Sequence, residues 1–235
     1  MSIRSAAKPV RRRGRPPKDS GRSYTETRQA LIQAGLALLT EKGYSSVGID
    51  PILRSVDVPK GSFYHYFKSK EAFGQALIEA YADYFAGKLD RFLLNTQEAP
   101  LQRLRHFIDD AGQGIQRHAF QRGCLIGNLG QEAGVLPPSF RQQLSQVFND
   151  WQARTARCLR EAQAAGEIAS DLDSDRLAAW FWIGWEGAVL RARLEASTLP
   201  LEIFAEGFFM RLQSPSPAPE CVPESGPAAS VKPAR

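Results

Sequence analysis

The sequence predicts an all-α protein, with a small N-terminal unit of three short helices followed by a larger helical domain. Three observations predict it. Apolar residues recur at helical spacing through most of residues 24–212. No alternating β-branched run and no Asn-Gly or Asp-Gly hairpin signal interrupts them. Glycine and proline cluster at the joints between the periodic stretches.

The first helix is expected over about 24–42, where Leu31, Ala34, Gly35, Leu38 and Leu39 form one apolar stripe. Lys42-Gly43 ends it, a cation in the last turn followed by a residue able to take a left-handed cap. The second helix begins near Gly48. Asp50 and Pro51 suit its first turn, and Ile52, Leu53 and Val56 form its buried side. After the break Asp57-Val58-Pro59, a third helix is expected from Lys60 to about Phe67. Ser69-Lys70-Glu71 opens a long helix through about Leu94. Further helices are expected at about 101–118, 124–133, 138–165, 173–196 and 200–212, punctuated by Pro137-Pro138 and Gly166. The boundaries that follow are a basic arm (1–22), a three-helix unit (23–70), a larger helical domain (71–213) and a tail (214–235).

Composition narrows the function. The chain has 235 residues, 43% of them hydrophobic, enough for a real core. No apolar run reaches the roughly 18 residues of a membrane span, and the N-terminus lacks the apolar segment of a signal peptide. The sequence therefore reads as a soluble cytoplasmic protein without a membrane partner. The three cysteines, Cys124, Cys158 and Cys221, make no disulfide framework, and no His/Cys cluster has metal-ligand spacing. No cofactor motif occurs; Gly127-Asn128-Leu129-Gly130 lacks the strand that a nucleotide-binding loop needs. No nucleophile-base pair or paired carboxylates stand at convincing spacing, so an enzyme is not expected. The formal net charge is +5, and cations crowd the first 22 residues: Arg4, Lys8, Arg11, Arg12, Arg13, Arg15, Lys18 and Arg22 against Asp19. Such a cluster points to a polyanion. Both this arm and the Pro/Ser/Ala-rich tail are expected to be disordered on their own.

The unit at 48–73, GIDPILRSVDVPKGSFYHYFKSKEAF, carries the clearest signal. Two helices joined by a tight turn, the second short and polar-aromatic, describe a helix-turn-helix. The second element is narrow enough for a major groove about 12 Å wide. Lys60, Ser62, Tyr64, His65 and Tyr66 offer donors, and Gly61 allows close backbone approach. Lys70 stands where a helix N-terminus can help to hold a phosphate. Leu31, Leu38, Ile52, Val56, Val58, Phe63 and Phe67 are the expected core beneath; Tyr66 suits core and contact equally. Arg13-Gly14-Arg15-Pro16 is similar to the Gly-Arg-Pro hooks that read A·T-rich minor grooves, so Arg13 and Arg15 are expected there.

PKGSFYHYFKSKEAF, preceded by a helix ending in EKGY, resembles the recognition segment of the TetR family of repressors over about residues 26–75. Gly48 and Asp57 depart from the pattern, which often has Ser or Thr at the first position and glycine at the second. The resemblance implies a homodimer that binds double-stranded DNA at a palindromic operator and is released by a small-molecule effector. It also implies a dimer built through the last two long helices. Leu177, Trp180, Phe181, Trp182, Ile183, Trp185, Val189 and Leu190 make the penultimate helix apolar nearly all round. Ile203, Phe204, Phe208 and Phe209 are expected to add to the same interface.

Within the family, RGCLIGNLGQE and FWIGWEGAVLRARLE resemble repressors that respond to acrylate and, less closely, those that respond to N-ethylmaleimide. That resemblance implies an unsaturated or electrophilic effector and singles out Cys124. A thiol at a helix N-terminus is expected to have a lowered pKa, with Arg122 assisting; a buried cysteine can equally be a small hydrophobe. Where N-ethylmaleimide-responsive relatives carry a sensing lysine, Arg193 stands here, and arginine does not readily lose its proton. For reversible binding, Trp151, Trp182 and Trp185 are candidate walls. Asn128, Gln131, Glu186 and Arg191 or Arg193 are candidate polar partners. An unrelated apolar effector, an activator and a corepressor-dependent repressor remain open.

Overall fold

The computed structural model describes residues 22–213. Arg13, Arg15 and Cys221 lie outside the described residues, as do the conformations expected for the arm and the tail. The described chain runs α1 (Tyr24–Lys42), α2 (Ile49–Ser55), a 3₁₀ turn (Lys60–Ser62), α3 (Phe63–Tyr66), α4 (Lys70–Leu93), α5 (Pro100–Arg117), α6 (Leu125–Gln131), α7 (Pro138–Ala164), α8 (Ser174–Glu195) and α9 (Leu199–Gln213).

Local chemistry explains the boundaries. Ser23 and Glu26 cap α1 reciprocally: Ser23 Oγ accepts from Glu26 N at 3.2 Å and Glu26 Oε2 accepts from Ser23 N at 2.7 Å. Gly43 then takes φ 79°, ψ 168°, a region that side chains avoid. Gly48 caps α2 without a side-chain bond. Asp57 adopts φ 57°, the left-handed turn that its short polar side chain tolerates in place of glycine. The third element is not one helix from 60 to 67. Pro59 sets an extended approach, flexible Gly61 sits inside the first turn, and Phe67 is extended at φ −140°. A 3₁₀ turn and a single α-turn result.

The small unit closes over Leu31, Ile32, Leu39, Ile52, Leu53, Phe63 and Phe67, all buried; Leu38, Val56 and Val58 are only half-buried at its edge. Burying each large side chain is worth about 1.5–3 kcal/mol. Helix α4 joins this unit to the rest. Its Phe73 packs on Phe63 and Phe67 at 5.6 and 4.6 Å between ring centres. Further along, Phe85 packs on Phe107 of α5 at 5.9 Å and on Trp151 of α7 at 4.4 Å. Helix α8 lies against α7 on one side and α9 on another. Among the described residues no helix is long and apolar enough to cross a membrane.

Candidate DNA interface and effector pocket

At the reading end, Lys60, Gly61, Tyr64 and His65 are exposed, while Ser62 is half-buried. Tyr64 packs edge-on against Phe63 at 5.3 Å between ring centres, yet it is 67% exposed, so most of its apolar surface meets solvent. Tyr66 is different. Its ring stacks on Tyr24 at 5.0 Å, and Tyr24 Oη donates to His65 O at 3.3 Å. Tyr66 and Tyr24 thus hold the short turn from behind. Lys60 pairs with Asp50 at 2.9 Å, a solvent-exposed bridge of little net worth. Lys70 points elsewhere than expected. Its Nζ donates to Tyr44 O at 3.3 Å and lies 4.5 Å from the Tyr44 ring centre, so it braces the loop after α1.

That loop is also where the larger domain grips the smaller one. The last carbonyls of a helix lack partners within it. Here Asn128 Nδ2 donates to Thr40 O at 3.1 Å and Arg193 Nη2 to Glu41 O at 3.2 Å. Arg193 Nη1 donates to Asn128 Oδ1 at 3.0 Å, and Nη2 also reaches Gln121 O at 3.1 Å. Glu132 accepts from Tyr44 N at 2.8 Å and Ser45 N at 2.7 Å. A side chain on Gly43 would displace the Glu132 carboxylate from these two N–H groups, and the positive φ of 79° itself favours glycine. Arg122 Nε pairs with Glu41 Oε1 at 2.8 Å.

Behind this clasp lies a cavity of about 360 Å³. One wall is α1 itself, through Gln33, Leu36, Ala37 and Thr40. Tyr81, Tyr84, Phe85 and Lys88 of α4 form another. Ile115, Arg117 and His118 at the end of α5, Cys124, and Trp185 and Val189 of α8 complete it. The lining carries cations and no carboxylate. Lys88 and Arg122 are paired, with Asp110 and Glu41 respectively. Arg117 has no ion pair among the described residues. Just after α5, Ala119 and Phe120 take left-handed φ of 49° and 58°, a strained bend beside the cavity.

Several expected pocket residues fall elsewhere. Trp151 and Trp182 are fully buried core: their rings lie 4.9 Å apart, and Trp182 Nε1 donates to Thr155 Oγ1 at 3.0 Å. They are wide enough to fill the space between α4, α7 and α8, which leaves Trp185 as the tryptophan at the cavity. Asn128 and Arg193 serve the clasp on α1. Gln131 reaches back to Gly127 O at 3.5 Å, and Arg191 pairs with Glu195 at 2.5 Å on the surface. Phe208 and Phe209 are buried within the protomer rather than on an outer face. The outer apolar face is instead Trp180, Ile183, Leu190 and Leu194 of α8 with Ile203 and Met210 of α9.

Cys124 does cap α6, its Sγ accepting from Gly127 N at 3.5 Å. Its thiol is nevertheless pushed well above the usual range, first by burial and then by the neighbouring Glu186 carboxyl. Desolvation outweighs the pull of one short helix terminus, and Arg122 is engaged by Glu41. The expected lowering is thus reversed. Glu186 keeps part of its stem exposed, but its carboxyl turns inward; Oε1 is inaccessible and has no hydrogen-bond partner. Burial pushes that carboxyl up to about 7. The half-buried Tyr81 phenol beside both groups is likewise raised by burial. Cys158 donates to Pro100 O at 3.3 Å in the core, with its thiol raised to about 12 by burial.

Sequence reasoning missed Tyr81, Tyr84, Lys88 and Arg117. The available signal was the spacing of Tyr81, Tyr84 and Lys88 along one face of α4.

Residues 31–77 match the model for bacterial regulatory proteins of the tetR family, and residues 100–208 match the tetracyclin repressor-like C-terminal domain. The chain is 57% identical over 197 residues to the transcriptional regulator AcuR of Cereibacter sphaeroides, covering 84% of this chain and 89% of the relative. It is 28% identical over 177 residues to the HTH-type transcriptional repressor NemR of Escherichia coli K12, covering 75% and 89%. A crystal structure of a regulatory protein TetR from Rhodobacter sphaeroides superposes with a TM-score of 0.77 at 58% identity, covering 78% of this chain and 97% of that one. Relationship at this level, over both halves of an all-helical fold, places the chain in the TetR family of DNA-binding transcriptional regulators.

Proposed function

We propose that this protein is a cytoplasmic homodimeric repressor, released from a palindromic operator by acrylate or a related small unsaturated compound. The observation that carries the reading is the shared wall. The cavity is bounded by α1 of the reading unit, so an occupant touches the element whose position sets the recognition turn. A ligand that prefers one placement of α1 shifts the population of DNA-competent dimers. Its size suits a small molecule. Its cationic, acid-free lining suits an anion, with Arg117 and His118 as carboxylate partners and Tyr81, Phe85 and Trp185 against the apolar part.

On the DNA side, Lys60, Gly61, Ser62, Tyr64 and His65 enter the major groove, while Tyr66 holds the turn. Arg13 and Arg15 take the adjacent minor groove. The apolar face of Ile183, Leu194, Ile203 and Met210 meets its copy in the second protomer. The resemblance to AcuR and NemR supports the unsaturated or electrophilic class. The aromatic wall favours one second reading, an uncharged apolar effector. Calorimetric titration with acrylate, with propionate and with an uncharged aromatic separates them. Acrylate binding that Arg117→Met weakens at least tenfold supports the anion reading. Heat from the aromatic alone refutes it.

A further inference from the structure

Three groups converge at the cavity wall: the Cys124 thiol and the Tyr81 phenol line it, and the Glu186 carboxyl turns inward beside them. Gly127 is what lets them meet. A side chain built there would overlap Glu186 Oε2 and would stand 3.8 Å from Cys124 Cβ. The carboxyl and the cysteine therefore lie against the same bare Cα. A buried carboxyl oxygen without a partner, as Oε1 is, costs free energy; Glu186 caps no helix and pairs with no cation, and the hydrogen bond that favours its charged form comes from the Cys124 thiol. Cys124 in turn faces the cavity, so the carboxyl stands behind a thiol that an occupant can reach. The remaining titratable group facing them is Tyr81 from α4, and neither it nor Glu186 supplies a cation to stabilise a thiolate.

From this arrangement we infer that Glu186 is the proton acceptor that lets the buried Cys124 thiol add to an electron-poor alkene held in the cavity. The inference rests on the proposed effector class and deepens it. In the addition, the sulfur lone pair attacks the alkene β-carbon. The S–C bond forms as the C=C π bond breaks toward the α-carbon. The thiol proton passes to the Glu186 carboxylate and then to the α-carbon, so Glu186 ends in its starting form and no oxidant or reductant is needed. Burial prevents a standing thiolate, which makes a local acceptor necessary. A carboxyl with proton affinity near the working pH is suited to take and return the proton.

The test follows Cys124 alkylation in the full-length protein by peptide mass mapping, with acrylamide as the probe, between pH 5.5 and 9.5. The wild-type rate is expected to rise with pH, bend near 7 and level off. Glu186→Gln is expected to lower the rate at pH 7.5 at least tenfold and to remove the bend, leaving a steady climb with pH. Glu186→Asp should keep a bend at a reduced rate, which a merely structural role would not produce. Equal rates and equal profiles in wild type and Glu186→Gln overturn the inference. If Glu186→Gln does not fold, the wild-type profile decides, because a climb without a bend near 7 also overturns it. No Cys124 adduct in wild type overturns it as well. The effector reading then stands or falls separately, on whether acrylate still releases DNA from wild type and from Cys124→Ser.

Discussion

Removing the charge of Glu186 should abolish the stability loss that this carboxyl causes as pH rises, so the variant gains on wild type toward alkaline pH. Burial raises this carboxyl from 4.5 to about 7 in the folded chain. Between those values the folded protein keeps a proton that the unfolded chain has lost, so stability falls as pH rises through the window. Above about 7 the penalty is complete, and below about 4.5 it is absent. At about 1.4 kcal/mol for each tenfold change in proton affinity, the full penalty reaches about 3 kcal/mol. Glu186→Gln escapes it, but the amide brings its own unmet N–H groups, at a cost of about 1–3 kcal/mol that does not depend on pH. The pH-dependent part is therefore the informative one. Melting should show the variant gaining on wild type by about 5–10 °C between pH 5 and pH 8.5, at about 2–4 °C per kcal/mol. Protein concentration must be held fixed, because assembly of the proposed dimer also moves the midpoint. Wild-type and variant midpoints that run parallel across that range would refute a buried, unpaired carboxyl at this position.

Other consequences are as direct. Tyr64→Ala and His65→Ala should each weaken operator binding by about 1–3 kcal/mol, read by anisotropy, with melting shifted little because both residues are exposed and Tyr64 loses one edge contact to Phe63. Gly43→Ala should cost about 1–3 kcal/mol of stability by urea unfolding, since it forces φ 79° on a residue with a Cβ and displaces Glu132. Ile183→Asp should dissociate the dimer in sedimentation velocity while circular dichroism keeps its helical signal. Deleting residues 1–22 should flatten the salt dependence of DNA binding, by about 0.9 in log–log slope for each phosphate that the arm no longer neutralises.

Much of the fold can be read along the chain because its helices end on local chemistry. Lys42-Gly43, Pro51, Pro137-Pro138 and the cap before Ser174 are short-range signals, and the structure places helix ends at or beside them. Asp57 stands where a turn glycine is common, and it takes the left-handed region in its place. The candidate pocket is harder to read. Period alone cannot tell Trp182, turned into the core, from Trp185 one turn along at the cavity, because both lie on an apolar helix. Contacts between distant segments leave no local trace either: Arg193 closes on α1 across 152 positions. Cys124 shows the limit of a rule applied without depth. It does stand at a helix start, but burial and Glu186 reverse the expected direction of its proton affinity.

One coupling is central, between the cavity beside α1 and the recognition turn. Its most direct test is fluorescence anisotropy of a labelled duplex from upstream of the protein's own gene, titrated with protein in the presence and absence of acrylate. Tight, sequence-selective binding is expected, which acrylate weakens at least tenfold in wild type and less in Arg117→Met. Selective binding that acrylate leaves unchanged at saturating concentration would contradict the coupling.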